Sequence, residues 1–210
     1  MCRLLAITAD ENVDTNDELA AFAQMCKESA EYQGHGWGCA WFENGRWNHH
    51  HSITPIWEDT LPSIPRTQRF VAHARSAFRN EGITIENTMP FGDDERVFIF
   101  NGELRGVRIT SHGRIGAEKI YNYILRFGTD DIVSSLRKAI RIIERRTERI
   151  RAMNIIIADR EGLTIATHHT QEPEYFTMHR VQNGPKRIVC SQPLGSGWIA
   201  IPNKTIEVIV

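Results

Sequence analysis

Cys2 stands directly behind Met1 and opens a run, Arg3-Leu4-Leu5-Ala6-Ile7, that reads as a buried strand. Removal of Met1, usual before a small residue, would leave a residue carrying both a thiol and a free α-amine. Such an amine titrates at roughly pH 7.7–8.0 and a thiol at about 8.5, so each is partly deprotonated near neutrality. The amine can then take the thiol's proton and activate the sulfur without a histidine. The same seven residues also describe a strand that begins with a small residue, and on them alone this is the favoured reading, since a lone cysteine more often packs than reacts. Two other places put polar groups at strand ends. Residues 70–76 read as a strand closing on Arg75, and residues 97–100 run straight into Asn101-Gly102. An Asn beside a Gly at a strand end presents a side-chain amide and a backbone N–H, two donors of the kind that hold an oxyanion. His49-His50-His51 invites a metal reading, but strand alternation lets only His49 and His51 share a face. No acidic or Cys partner stands at suitable spacing, so no metal and no cofactor is expected.

The elements that must position these groups follow from periodicity. Residues 14–17 offer helix caps, and Leu19, Phe22, Ala23, Cys26 and Ala30 recur at helical spacing. Residues 33–38 form a glycine-dense loop. Strands over 38–42 and 46–53 flank Asn44-Gly45, a hairpin signal because both residues tolerate positive φ. Residues 54–69 hold three prolines and read as a surface excursion. A helix is expected over 117–127. A second is capped by Thr129, with Asp130 and Asp131 in its first turn and Val133, Leu136, Ile140, Ile143, Thr147 and Ile150 on its apolar face. The arginines on its other face alternate with Glu144 and Glu148 and read as a solvated surface. Strands over 153–158, 163–168, 174–181, 187–190 and 205–210 finish the chain. Strands at both ends with helices between them give one α+β domain over 1–210.

Composition narrows the function classes. The 210 residues carry a formal net charge of −1, which argues against nucleic acid as the main partner. No run is long and apolar enough to span a membrane. The chain turns polar at Thr8, so its start is not read as a signal peptide. Cys2, Cys26, Cys39 and Cys190 are widely spaced. That spacing argues against a disulfide framework or zinc ribbon and makes a reducing cytoplasm the expected compartment.

Five stretches in order, behind the opening that carries Cys2, resemble one family, the class II glutamine amidotransferases, over most of the chain. Met-Cys-Arg-Leu-Leu-Ala is similar to the start of stand-alone amidohydrolase members. His35-Gly36-Trp37-Gly38 resembles the family's Gly-Trp-Gly strand entry, and His73-Ala74-Arg75 its His-x-Arg segment. The loop from Asn87 to Phe91 resembles its Asn-x-x-Pro-Phe loop, and Asn101-Gly102 its oxyanion pair. Ser191-Gln192-Pro193-Leu194, Trp198 and Ile201-Pro202-Asn203 resemble its closing segment. The resemblance implies a four-layer αββα N-terminal-nucleophile hydrolase sandwich, two stacked antiparallel sheets between helices. It implies Cys2 as nucleophile with its own amine as base, and Asn101 with the Gly102 N–H as oxyanion donors. Arg75 would pair with the substrate's α-carboxylate, a role that suits a planar guanidinium. Trp37 and Gly38 would line the site, through backbone more than side chain.

Two departures accompany it. Phe100 stands where many relatives have His. Gly116 stands where the family's Gly-Thr-Thr-Asp-Ser-Glu segment has the Asp that contacts the substrate's α-ammonium; Glu118, Asp93 and Asp94 are the nearest carboxylates in sequence that could replace it. The expected function is a glutaminase or amidohydrolase acting on a glutamine-like or γ-glutamyl amide through a thioester. It would act alone or beside a protein that accepts ammonia. The alternative is a catalytically silent relative serving as a binding or regulatory subunit.

Overall fold

The computed structural model describes residues 1–210. In chain order the elements are β1 (Arg3–Val13), α1 (Asn16–Lys27), β2 (Trp37–Glu43), β3 (Arg46–Ser52), β4 (Thr67–Ala74), β5 (Phe91–Gly92), β6 (Arg96–Arg105), α2 (Gly116–Leu125), α3 (Ile132–Arg145), β7 (Arg149–Asp159), β8 (Leu163–Ala166), α4 (Pro173–Phe176), β9 (His179–Asn183), β10 (Lys186–Cys190), β11 (Ile199–Ala200) and β12 (Ile206–Ile209). Seven strands form one sheet in the order β11-β9-β10-β1-β4-β2-β3, and five form a second in the order β12-β8-β7-β6-β5. All named pairings are antiparallel.

Alternation along β1 and β4 sorts the core into two compartments. Leu5, Ile7, Phe70 and Ala72 pack with Leu19, Phe22 and Cys26 of α1 on one face of the first sheet. Leu4, Ala6 and Val71 pack on the other face, in one cluster with β6, β7, α2 and α3. The layers are therefore helix, sheet, sheet, helices, the αββα sandwich. Full burial of an aliphatic or aromatic side chain contributes about 1.5–3 kcal/mol, so both compartments hold the layers together.

Several expected boundaries differ. β1 does not stop where the chain turns polar; it continues to Val13, which lies opposite Thr67 across an irregular stretch of register. β4 accordingly begins at Thr67, and the preceding segment buries Ile56 and Ile64 instead of only skirting the surface. Asp131, not Thr129, caps α3, its carboxylate accepting the Ser134 N–H at 2.9 Å. That helix ends at Arg145, short of Thr147, and Ile150 belongs to β7. The strand expected from 174 begins only at His179, because Pro173 opens α4, where its missing N–H is no loss.

Candidate active site

The alternation that sorts the core also assembles the polar groups. Leu4 pairs with His73 and Ala6 with Val71 across β1 and β4, and Gly38 of β2 faces His73 from the other side. Leu4, Ala6 and Val71 face the second sheet. Two-residue periodicity carries the same face onward through His73 to Arg75 and back through Leu4 to Cys2. In the second sheet Phe98 and Phe100 stack with each other, and Phe98 stacks on Tyr121 of α2 at 4.8 Å. Ile99 and Asn101 therefore turn toward the first sheet. Cys2, His73, Arg75 and Asn101 thus enter the space between the sheets.

Cys2 is buried, and its sulfur accepts the Ser76 N–H at 3.4 Å. Burial pushes the thiol up; the Ser76 N–H, the terminal ammonium and Arg75 pull it down, and Glu31 opposes them. Burial wins, so the sulfur is a thiol that needs a base before it can attack. Arg75 is fixed by its backbone, whose N–H meets the Gly36 carbonyl at 2.8 Å and whose carbonyl accepts the His35 N–H at 3.1 Å. Its guanidinium is buried and Nη1 has no partner. Asn101 is fully buried, and both atoms of its amide lack a partner. Leaving one such group unmet costs about 1–3 kcal/mol. Nothing in the packing requires Asn101 to be polar, so these atoms are free to meet a ligand.

Asn101-Gly102 does not lie at a strand end, as expected, but inside β6, opposite Asn154 and Met153. Met153 turns its N–H away to the His168 carbonyl at 2.7 Å. Gly102 is therefore in the pair that exchanges no ladder bonds, and its N–H points to the free edge of β6. β5 covers that edge only at Val97 and Phe98. A Cβ at Gly102 would stand 2.2 Å from the Ala152 carbonyl oxygen, so no side chain fits there.

Trp37 turns its ring away from this group, into the compartment of α1, and its Nε1 donates to Asp59 at 2.9 Å. Only its backbone borders the site. At Gly38 a Cβ would meet the Met89 carbonyl at 2.6 Å; glycine lets the 87–91 loop press onto β2. Gly116 opens α2, with nothing within 4 Å of where a Cβ would stand. Its neighbourhood reaches that loop through Arg114, whose guanidinium lies 5.6 Å from the Phe91 ring centre. Glu118 is held by Arg114, and Asp93 accepts the backbone N–H groups of Glu95 and Arg96 at 3.0 Å. Both carboxylates are already engaged.

Sequence reasoning assigned no role to several residues here. Both ring nitrogens of His73 lack a well-formed bond, and burial plus the Arg75 charge bring its pKa down to about 3, against a smaller pull from the Phe100 carbonyl. Its signal was available, since it stands two residues before Arg75 on a strand. His35 accepts the Ala77 N–H at 2.9 Å. Burial lowers its pKa, and the charges of Arg75 and the terminal ammonium add to the shift. Glu31, Gln33 and Tyr175 surround Met1, and only long-range packing brings them there. His49 and His51 stack at 5.7 Å, with His51 Nε2 3.1 Å from the Pro90 carbonyl oxygen; no group of three or more His, Cys, Asp or Glu side chains is arranged to hold a metal.

Residues 1–172 match the family model described as class-II glutamine amidotransferases. No curated protein sequence matches the chain. Among solved structures, a glutamine aminotransferase class-II domain protein from Silicibacter pomeroyi superposes with a TM-score of 0.66 at 16% identity, covering 96% of this chain and 92% of that one. A predicted glutamine amidotransferase from Pseudomonas aeruginosa gives 0.61 at 14% identity over 100% of both chains. The glutamine phosphoribosylpyrophosphate amidotransferase from B. subtilis gives 0.64 at 13% identity over 90% of this chain, which spans only 42% of that protein's length. At such identities the superpositions establish the fold. No helix is long and apolar enough to cross a membrane.

Proposed function

The chain belongs to the class-II glutamine amidotransferases, and from that membership we propose that it is an amidohydrolase that cleaves the γ-carboxamide of glutamine or of a γ-glutamyl amide through Cys2. Once Met1 is removed, the α-amine of Cys2 takes the thiol proton, and the sulfur attacks the amide carbon. The oxyanion that forms receives hydrogen bonds from the Asn101 amide and the Gly102 N–H. The amine of Cys2 hands its proton to the departing nitrogen, the C–N bond breaks, and a thioester remains. Water then releases the acid and restores the thiol. The guanidinium of Arg75 receives the substrate's α-carboxylate. His73, neutral beside it, adds no competing charge.

The observation that carries this reading is the pair of unpartnered amide atoms on fully buried Asn101, facing the sheet that presents Cys2. Gly116 and the engaged Glu118 favour a second reading, a silent subunit that binds a ligand without turning it over. Glutaminase assays combined with a thiol-directed glutamine analogue separate the two. Turnover, with the analogue on Cys2 and not on Cys26, Cys39 or Cys190, supports the enzyme. Binding without turnover or labelling supports the silent subunit.

A further inference from the structure

Met1 occupies a built site. Its carbonyl accepts the Tyr175 hydroxyl at 2.8 Å and the Gln33 side-chain amide at 3.1 Å. Its ammonium lies on Oε2 of Glu31. The other oxygen of that carboxylate, Oε1, takes Arg151 Nη2 at 2.7 Å. Arg151 is itself held by Glu172 and Glu103, and Glu103 also binds Arg105. Three carboxylates thus face two guanidiniums, and the ammonium of Met1 answers the third acid. Gln33 is fully buried, and the Arg3 guanidinium covers the Tyr175 ring at 3.9 Å, so the cradle is held from behind.

Removal of Met1 empties this cradle and frees Glu31 Oε2. Consecutive backbone nitrogens stand about 3 Å apart, from the bond lengths that join them. The ammonium of Met1 therefore lies within hydrogen-bond reach of the nitrogen that becomes the Cys2 amine. In the reaction proposed above, on which this inference rests, that amine must touch the departing nitrogen in order to protonate it. We infer that Glu31 is a catalytic residue on the leaving-group side: its freed oxygen accepts a hydrogen bond from the departing nitrogen as that nitrogen becomes an ammonium. The proton comes from the thiol through the Cys2 amine, the C–N bonding pair goes to the nitrogen, and the carboxylate itself exchanges no proton. Arg151 holds the carboxylate ionised and aimed. The ligand class of the vacated cradle is a primary ammonium, with ammonia from glutamine the smallest member.

The test uses the full chain with loss of Met1 verified by mass, and reads kcat/KM, which reports formation of the thioester. Glutamine expels ammonia; γ-glutamyl hydroxamate expels hydroxylamine, similar in size but a much weaker base that needs less protonation. Glu31→Gln is expected to lower kcat/KM for glutamine about tenfold or more, the scale of a hydrogen bond to a charged group. The hydroxamate should lose clearly less, and Glu31→Asp should recover part of the glutamine rate. Equal losses on both substrates, or no loss on either, would overturn the role of Glu31 while leaving the amidohydrolase intact. A processed wild type inactive on both substrates would overturn the amidohydrolase itself and this inference with it.

Discussion

The layer between the two sheets has two ends that obey one alternation and carry opposite chemistry. Along the inner face β1 runs from Ala6 through Leu4 to Cys2, β4 from Val71 through His73 to Arg75, and β6 from Val97 through Ile99 to Asn101. At one end Ala6, Val71 and Val97 are fully or almost fully buried in a continuous apolar core. At the other, Arg75, His73 and Asn101 are buried just as deeply yet leave polar atoms unmet. Burial and register are alike; the unmet hydrogen bonds differ. A fold selected for stability alone would put hydrocarbon at both ends. The polar end is a standing destabilisation, which the proposed ligand chemistry would maintain.

The largest effect that could break this comparison lies at its tip. Cys2→Ala is expected to abolish turnover while leaving the thermal midpoint nearly unchanged. Cys190→Ala, in the opposite compartment, should lower stability and leave turnover per folded molecule intact. Activity assays and calorimetry on both variants check this, and surviving turnover in Cys2→Ala would remove the functional half of the contrast.

One step inward, Asn101→Ala should lower kcat by roughly 10²–10³, the usual loss for one oxyanion donor, with little change in KM. Its apolar neighbour on the same face behaves oppositely. Ile99→Ala should cost about 2–5 kcal/mol of stability and spare kcat. Steady-state kinetics beside denaturant titration distinguishes them. A rise in KM with kcat spared in Asn101→Ala would make Asn101 a binding residue.

Acid titration sharpens the contrast through His73. Its folded pKa lies near 3 and its unfolded value near the ordinary 6.5. A depressed pKa contributes stability that is present above pH 6.5 and is lost as pH falls toward 3. Within that window the unfolded state binds the extra proton, and stability should fall by about 1.4 kcal/mol per pH unit. Other lowered histidines, His51 among them, add to the slope, so the informative quantity is the difference between wild type and His73→Gln. Urea midpoints between pH 7 and 4.5 should show a shallower slope in the variant; identical slopes would mean that His73 is not held neutral.

The smallest effect is a gain. Asn101→Leu replaces an unmet amide by hydrocarbon of similar size, which can be neutral or stabilising, here by about 1 kcal/mol. Chemical denaturation reads it directly. A loss of several kcal/mol would show that the amide is satisfied in the folded protein and that the two ends are not so different.

How much of this was legible in the sequence depended on range. The two-residue period on β1 and β4 is local, so the buried strands were within reach; the αββα layering came only with the family resemblance. Arg75 could be found at a strand end for the same reason. The sequence pattern places Asn101-Gly102 at a strand end, whereas β6 extends to Arg105 against β7, a partner about fifty residues away. Chain order could not show that the opposite edge of β6 stays open beyond Phe98. Residues 174–181 read as one strand from their composition, although Pro173 and packing of Phe176 begin them as a helical turn. Glu31, Gln33, Tyr175 and Arg151 carry no local signal at all. They come from three separate segments and meet only around Met1.

The proposed chemistry makes the thiol and amine of Cys2 together the reactive group, and its sharpest test is the intact mass of the active protein after stoichiometric inactivation by a thiol-directed glutamine analogue. The expected result is a chain lighter by one methionine, carrying a single adduct that peptide mapping assigns to Cys2. A fully active chain that keeps Met1 would contradict it, because the nitrogen of Cys2 would then be a peptide nitrogen unable to take the thiol's proton.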